Sequence, residues 1–236
     1  LGILVQYIRF QATVIGPSHI EDQLPNQDAV GVLNNAYGQL ITVCDGLGSR
    51  RYSNVGSQAA VNLIKDRFRL PQYSIENECI KNIHDSWLQK FGEGSQDYDT
   101  TCLWAHVAPE GLGKAAQLGD GLIMFRSNGV FKVLSTSCQA FSNLTLSLAK
   151  SDFDDWVHTQ FELTRIGDGV LVMTDGISDD LLSDQFENFF NFIYLKSKNR
   201  SSRAMKKWLA SELRNWSTPK HGDDKSIAGI FKLRSI

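Results

Sequence analysis

Residues 41–46 read Ile-Thr-Val-Cys-Asp-Gly, a short apolar run that ends in an aspartate and a glycine. The same ending recurs at residues 120–121 and 175–176, each time after an apolar run. Residues 222–224 read Gly-Asp-Asp and lead into a further apolar run, so the order is reversed there. Short runs of this kind predict buried strands. The pattern therefore predicts several strands whose tips carry carboxylates.

Ten runs predict strands, and two pairs of amphipathic blocks predict helices. The predicted strands are residues 10–15, 29–33, 39–44, 101–108, 114–119, 121–126, 129–134, 160–166, 169–174 and 226–233. The predicted helices are residues 53–70, 74–91, 183–197 and 201–216. Strands grouped in this way do not fit a strict β-α-β alternation. They favour an α+β fold in which two sheets pack face to face with helices outside.

Length and composition predict one globular domain over residues 1–236, since 42% of the residues are apolar. The 24 Lys and Arg against 26 Asp and Glu give a net charge of −2, which argues against a nucleic-acid or membrane partner. Residues 1–8 are apolar but too short to span a membrane, and we expect an edge strand there. Four scattered cysteines without a Cys-x-x-Cys pair predict free thiols and a cytoplasmic location.

Aspartates at strand tips predict a metal site. A buried carboxylate must be paired or bind a cation, because its desolvation is costly. No His or Cys cluster accompanies these aspartates, so the donor set favours Mg²⁺ or Mn²⁺ over zinc. The alternative for any single Asp-Gly is a two-residue hairpin turn. That alternative fits Asp120, which a strand follows, but fits Asp45 and Asp175 poorly, because helix-like sequence follows both.

Six motifs in order resemble the metal-dependent protein phosphatases of type 2C, and the resemblance runs from about residue 12 to the end. They are Pro25-Asn-Gln-Asp28, Val43-Cys-Asp45-Gly46, Thr100-Thr101, Leu118-Gly-Asp120-Gly, Met173-Thr-Asp175-Gly-Ile-Ser-Asp179 and Asp223-Asp224-Lys-Ser226. The opening residues 16–28 are most similar to the compact bacterial branch. The resemblance implies a four-layer α-β-β-α sandwich, with two antiparallel sheets flanked by helix pairs.

The resemblance also implies an activity: hydrolysis of phosphoserine and phosphothreonine in proteins by a water activated at a binuclear Mg²⁺ or Mn²⁺ centre. Its implied partners are a phosphoprotein substrate and a cognate serine/threonine kinase, and the implied state is a monomer. The metal ligands implied by position are Asp45, the Gly46 carbonyl, Asp175 and Asp223, with Asp120 and Asp179 at a weaker third position. Asp28 matches a carboxylate that orients metal-bound water.

Several positions depart from the family pattern. Leu47 stands where the eukaryotic branch has a candidate general acid, and His19 stands where it has a phosphate-binding Arg. We expect His19 to serve one of these roles, since a histidine donates a hydrogen bond or a proton near neutral pH; the alternative is a surface histidine. Arg50 and Arg51 are candidates for phosphate recognition, with solvated loop charges as the alternative. Gln27 replaces an acid found in many relatives.

Two rival functions remain open at this point. The first is a catalytically silent 2C-like module with a regulatory or interaction role, which the complete set of Asp45, Asp175 and Asp223 argues against. The second starts from residues 97–101, Asp-Tyr-Asp-Thr-Thr, which match the signature of haloacid dehalogenase-like phosphatases with Asp97 as nucleophile. In that class of phosphatases the nucleophile follows a buried strand. Asp97 instead follows the polar residues 92–96.

Overall fold

The computed structural model describes residues 5–70, 77–134, 145–216, 218 and 222–235. These residues form ten strands, namely β1 (Val5–Val14), β2 (Ala29–Asn35), β3 (Gly38–Cys44), β4 (Cys102–Val107), β5 (Leu112–Leu118), β6 (Leu122–Ser127), β7 (Val130–Leu134), β8 (Val157–Glu162), β9 (Gly169–Met173) and β10 (Lys225–Ser235). They also form helices α1 (Pro17–Glu21), α2 (Ser53–Arg67), α3 (Asn77–Phe91), α4 (Asp175–Ser178), α5 (Phe186–Ser197) and α6 (Ser202–Arg214). Three short 3₁₀ helices cover Gly92–Tyr98, Phe153–Asp155 and Ser183–Gln185.

The strands form two five-stranded antiparallel sheets. The first sheet has the order β1-β10-β9-β6-β7, and the second has the order β2-β3-β4-β5-β8. Strands β4 and β9 are buried along their whole length. Their side chains alternate between the two faces of a sheet, and both faces are covered here, one by the other sheet and one by helices. This explains why their sequences are continuous apolar runs.

Three apolar cores separate four layers. One core lies between the sheets and includes Ile41 and Val170. A second joins α2 and α3 to the second sheet and includes Trp87. A third joins α5 and α6 to the first sheet and includes Phe190 and Leu209. The predicted α-β-β-α sandwich with helix pairs outside is confirmed.

Several predicted boundaries differ from the structure. Residues 5–14 form one continuous strand, and β1 lies at an edge of the first sheet, as expected for the start of the chain. The strand predicted at 160–166 runs instead from 157 to 162. It ends there because the chain enters a turn in which the Asp168 carboxylate accepts hydrogen bonds from the backbone N–H groups of Thr164 and Arg165, at 2.9 and 2.8 Å.

The hairpin alternative at Asp120 is wrong. Strands β5 and β6 on either side of this aspartate belong to different sheets and do not pair with each other. The connection turns at Gly119, whose φ of +109° is unfavourable for residues with a side chain. Asp120 therefore stands on a crossover between the two sheets.

Three of the cysteines, Cys44, Cys79 and Cys102, are free and buried, as predicted. Cys138 lies outside the described residues. No helix in the described part of the chain is long and apolar enough to cross a membrane.

Candidate metal centre

Four aspartates from distant parts of the chain meet at one end of the sandwich. Asp45 follows β3, Asp175 follows β9, Asp223 precedes β10, and Asp120 lies on the β5–β6 crossover. The register pairs Met173, at the end of β9, with Ile227 near the start of β10, so these tips are neighbours. The four aspartates line a cavity of about 220 Å³, together with His19, Gln27, Gly46, Leu47, Gly48, Thr101 and Thr145.

The threonine pair at the start of β4 holds the backbone of Asp45. The Asp45 N–H donates to Oγ1 of Thr101 at 2.9 Å, and the Thr101 N–H donates to the Asp45 carbonyl at 2.8 Å. The Thr100 hydroxyl donates to the same carbonyl at 2.7 Å. These three hydrogen bonds fix the residue that follows β3 against β4.

Gly46 has no room for a side chain. A Cβ at this position would lie 2.7 Å from the carbonyl of Ser53 and 2.8 Å from the carbonyl of Gln27. The Gly46 N–H donates to that Gln27 carbonyl at 3.2 Å. Glycine is therefore required where the chain leaves Asp45, and its backbone lies at the cavity wall.

The carboxylates destabilise one another's charged forms. Burial raises the pKa of Asp45 well above its usual range, and the charges of Asp28 and Asp175 raise it further. Burial also raises the pKa of Asp175, with the charges of Asp120 and Asp223 adding to the effect, while a hydrogen bond with Asp45 opposes it. A bound cation would remove this penalty, because it favours the ionised form of each carboxylate.

The donor set fits a hard divalent cation. Oδ1 of Asp175 is buried without a hydrogen-bond partner in the described part of the chain, and so is Oδ1 of Asp28. Neither Lys nor Arg is found among the described residues that line the cavity. Several carboxylate oxygens on a cavity wall whose described residues include no Lys or Arg are the environment that Mg²⁺ and Mn²⁺ prefer. Buried, unpartnered carboxylate oxygens are costly unless a ligand completes them.

Asp28 lies just behind the cavity rather than on its lining. Its Oδ2 accepts a hydrogen bond of 2.9 Å from the Thr174 hydroxyl, one residue before Asp175. Burial raises the pKa of Asp28 well above its usual range, and the charge of Asp224 raises it further. Asp28 therefore places a second buried carboxyl beside Asp45.

Asp120 and Asp179 are both exposed. Asp120 is held by Thr145, whose hydroxyl donates a hydrogen bond of 2.7 Å to Oδ2. Asp179 follows α4, and its N–H donates to the Asp175 carbonyl at 2.9 Å. Its charge contributes to the raised pKa of Asp175. Of these two aspartates only Asp120 lines the cavity.

Asp223 and Asp224 have different environments although they are adjacent. Asp223 is exposed on the cavity, whereas Asp224 is buried. The Asp224 carboxylate accepts hydrogen bonds from the backbone N–H groups of Gly16 at 2.7 Å and Gln27 at 2.6 Å. Sequence reasoning missed this residue, because nothing in an Asp-Asp pair says which member faces inward.

His19 on α1 lines the cavity, and its Nδ1 lies 2.9 Å from Oδ2 of Asp224. Possible ligand atoms of His19, Asp223 and Asp224 all lie within 4.8 Å of one another. Arg50 and Arg51 do not line the cavity. Arg50 is half-buried, and the Arg51 guanidinium lies over the Tyr52 ring at 5.1 Å. The structure thus brings His19, but not the arginine pair, onto the cavity.

Asp99 anchors a loop beside the site. It is fully buried, and its carboxylate accepts hydrogen bonds from the Thr100 N–H at 3.0 Å, the Ala149 N–H at 2.9 Å and the Ser147 hydroxyl at 2.7 Å. These bonds hold residues 147–149 close to Thr145 on the cavity. The sequence did not indicate this role, because Ser147 and Ala149 lie about fifty residues after Asp99.

Asp97 does not fit the nucleophile of the rival phosphatase class. It is exposed on the 3₁₀ helix Gly92–Tyr98 and not at the end of a buried strand. Its carbonyl accepts a hydrogen bond of 2.8 Å from the Tyr52 N–H, and it does not line the cavity.

Comparison with known families gives a match over most of the chain. The family described as "Protein phosphatase 2C" matches residues 15–214. A search of curated protein sequences found no significant match.

Solved structures with the same fold cover nearly the whole chain. A bacterial serine phosphatase has 17% identity and a TM-score of 0.68, with 99% of each chain covered. The catalytic domain of the serine/threonine protein phosphatase PstP, in complex with two manganese ions, has 13% identity and a TM-score of 0.67, with 98% of this chain and 99% of that chain covered. The serine/threonine phosphatase Stp1 from Staphylococcus aureus has 19% identity and a TM-score of 0.66, with 98% and 96% covered.

Proposed function

This chain belongs to the protein phosphatase 2C family, and on that basis we propose that it is a metal-dependent phosphatase that hydrolyses phosphoserine and phosphothreonine in proteins. One observation carries the proposal: four aspartates from separate strand ends line one cavity, and a buried oxygen of Asp175 has no partner in the described residues. A scaffold without a cation gains nothing from this arrangement, because each carboxylate raises the cost of ionising the others.

The ligand set that we propose is Asp45, the Gly46 carbonyl, Asp175 and Asp223 for two Mg²⁺ or Mn²⁺ ions. Asp120 and Asp179, which are more exposed, would hold a third ion more weakly. When bound, such ions supply positive charge for the phosphoryl oxygens and lower the pKa of a water enough for it to attack phosphorus. PstP, which has the same fold, is a serine/threonine phosphatase bound to two manganese ions.

His19 and Asp28 are the groups that we propose for proton transfer and orientation. Nδ1 of His19 lies 2.9 Å from the Asp224 carboxylate, and His19 lines the cavity. Protonated at Nε2, this ring would bind a phosphoryl oxygen or give a proton to the departing serine or threonine oxygen. Asp28, held by the Thr174 hydroxyl, would accept a hydrogen bond from the attacking water.

The proposed substrate is a phosphoprotein, and a kinase that makes that phosphoprotein is the implied partner. Phosphate recognition by Arg50 and Arg51 remains part of the proposal, although neither lines the cavity. Both follow the Asp45 loop directly in sequence, which supports a role near the cavity.

The test is hydrolysis of an aryl phosphate and of a phosphothreonine peptide with Mn²⁺, with and without a chelator. We expect the chelator to abolish activity, Asp45→Asn to lose it, and Asp97→Asn to keep it. Activity that survives the chelator, or a labelled aspartyl intermediate, would contradict the proposal. Mn²⁺ binding by calorimetry without hydrolysis of either substrate would favour the regulatory alternative.

A further inference from the structure

The net charge of the chain hides a strong local imbalance. Residues 188–211 contain six Lys and Arg and no Asp or Glu. The whole chain has 24 Lys and Arg against 26 Asp and Glu, so the other residues carry 18 positive and 26 negative charges, a net of −8. The six cations are Lys196, Lys198, Arg200, Arg203, Lys206 and Lys207.

These cations lie on the second half of α5, the first half of α6 and the turn between them. The end of α5 lies at the end of the sandwich opposite the aspartates. The Tyr194 ring near the end of α5 packs 3.4 Å from the position that a Cβ of Gly167 would occupy. It also packs on Phe231, with ring centroids 5.4 Å apart. Gly167 precedes the start of β9, whereas Asp175 follows its end. Each β9 residue advances the strand by about 3.3 Å, so the length of the strand separates the two charged regions.

No carboxylate of the described residues forms an ion pair with any of the six cations. Lys198, Arg203, Lys206 and Lys207 are exposed. The other two cations lie on aromatic rings, with Lys196 Nζ 5.1 Å from the Phe192 centroid and the Arg200 guanidinium 5.3 Å from the Trp208 centroid.

Large apolar side chains are exposed among these cations. Phe192 is 45% exposed and Leu195 is 53% exposed, both on α5. Trp208 on α6 is half-buried, with its ring 5.8 Å from that of Phe192. We call the six cations together with Phe192, Leu195 and Trp208 the basic face.

We propose that the basic face binds an anionic phospholipid surface. Clusters of four to eight Lys and Arg on amphipathic helices attract anionic lipid by about 1 kcal/mol for each cation near the surface. Exposed Phe and Leu beside them add apolar burial at the headgroup boundary. Four of the six cations are exposed on α6 and on the turn, and the other two lie on rings of the basic face itself.

The bipolar charge also sets the orientation of the bound protein. The acidic remainder of the chain is repelled by an anionic surface, while the basic face is attracted. The carboxylate cavity at the opposite end would then face away from the lipid. The docked protein therefore keeps its cavity open to solutes.

The experiment is co-sedimentation of the full chain with vesicles of phosphatidylcholine and phosphatidylglycerol, against vesicles of phosphatidylcholine alone, at low and high salt. We expect binding to the anionic vesicles that weakens with salt. The double variant Lys206→Glu with Lys207→Glu should weaken binding to the anionic vesicles roughly thirtyfold or more, because it loses two cations that each contribute about 1 kcal/mol. The control is Lys81→Glu with Lys90→Glu, which makes the same charge change at exposed positions on α3.

Three outcomes would overturn the proposal. The first is no binding of the unaltered chain to the anionic vesicles at low salt. The second is an equal loss of vesicle binding in both double variants, which would show that binding depends only on the total charge of the chain. The third is a combination of two results: duplex DNA or an acidic peptide binds the chain more tightly than the vesicles do, and Leu195→Ser leaves binding to the vesicles unchanged. Melting temperatures of all variants should match that of the unaltered chain, since these side chains are exposed.

Discussion

Asp224, directly before β10, places its Oδ2 2.9 Å from Nδ1 of His19 on α1. The same carboxylate accepts hydrogen bonds from the backbone N–H groups of Gly16 and Gln27. Asp224 therefore holds the segment that carries His19 and leads to Asp28. Its neighbour Asp223 lies exposed on the cavity.

Asp224→Asn should lower stability, whereas Asp223→Asn should weaken metal binding. An asparagine at 224 keeps only one acceptor oxygen, so a buried N–H loses its partner and the free energy of unfolding falls by about 2 kcal/mol. Asp223→Asn should leave unfolding in chelator nearly unchanged but weaken Mn²⁺ binding. Urea unfolding and Mn²⁺ calorimetry measure the two effects. An unchanged urea midpoint for Asp224→Asn would contradict the role of its buried contacts.

Removal of the metal should make stability strongly dependent on pH. The folded-state pKa values of Asp28, Asp45 and Asp175 are raised, chiefly by burial. At these three carboxyls the folded protein binds more protons than the unfolded chain. Their contribution to stability in chelator is therefore greatest below the ordinary carboxyl range and falls as the pH rises through the raised values. Saturating Mn²⁺ should reverse this fall, as thermal unfolding would show.

Asp45→Asn is the matched variant for that experiment. In chelator at about pH 8 it should be at least as stable as the unaltered chain, because it removes one member of a repelling buried cluster. With Mn²⁺ it should be the less stable of the two, since it lacks one of the proposed ligands. A variant that is less stable in chelator as well would contradict the repulsion.

Asp99→Asn should destabilise the protein, whereas Asp97→Asn should not. Asp99 is fully buried and accepts three hydrogen bonds. Replacing one acceptor oxygen with an amide group should cost about 1–3 kcal/mol. Asp97 is exposed two residues away and provides the control. Urea unfolding of both variants is the measurement, and an unchanged midpoint for Asp99→Asn would be the contrary result.

His106 should make the protein less stable in weak acid. Burial lowers the pKa of His106 to about 4 from 6.5, despite an opposing hydrogen bond with the backbone of Tyr37. Between these values the unfolded chain binds the extra proton, so stability is complete above 6.5 and decreases toward pH 4, by about 3 kcal/mol. His106→Phe should lack this component, while His158→Phe at an exposed position should retain it. Identical pH profiles for all three proteins would contradict the prediction.

The fold and the main carboxylates were predictable because both depend on local pattern. Apolar runs of five to seven residues form β3, β5 and β9, since both faces of these strands are largely buried. Asp-Gly at their ends marks the point where the chain leaves the core. Boundaries were less predictable: β8 ends early because Asp168 organises a turn through contacts with three backbone N–H groups.

Contacts between residues distant in sequence decided the features that the local sequence pattern left open. The Asp120 turn was compatible with a hairpin, yet it crosses between sheets because β5 pairs with β4 and β8 while β6 pairs with β7 and β9. Asp99 bonds to residues about fifty positions later. Arg50 and Arg51 follow the Asp45 loop in sequence, but the turn that follows places neither on the cavity.

The sequence by itself determined the layer order and the strand tips that carry aspartate, because both are set by residue type and spacing. Only the tertiary structure decided which carboxylates share the cavity, and that Asp224 faces inward while Asp223 faces outward. The physical reason is that a carboxylate's environment depends on the burial and N–H groups around it. Here those groups come from Gly16 and Gln27, nearly two hundred residues or more from Asp224 along the chain.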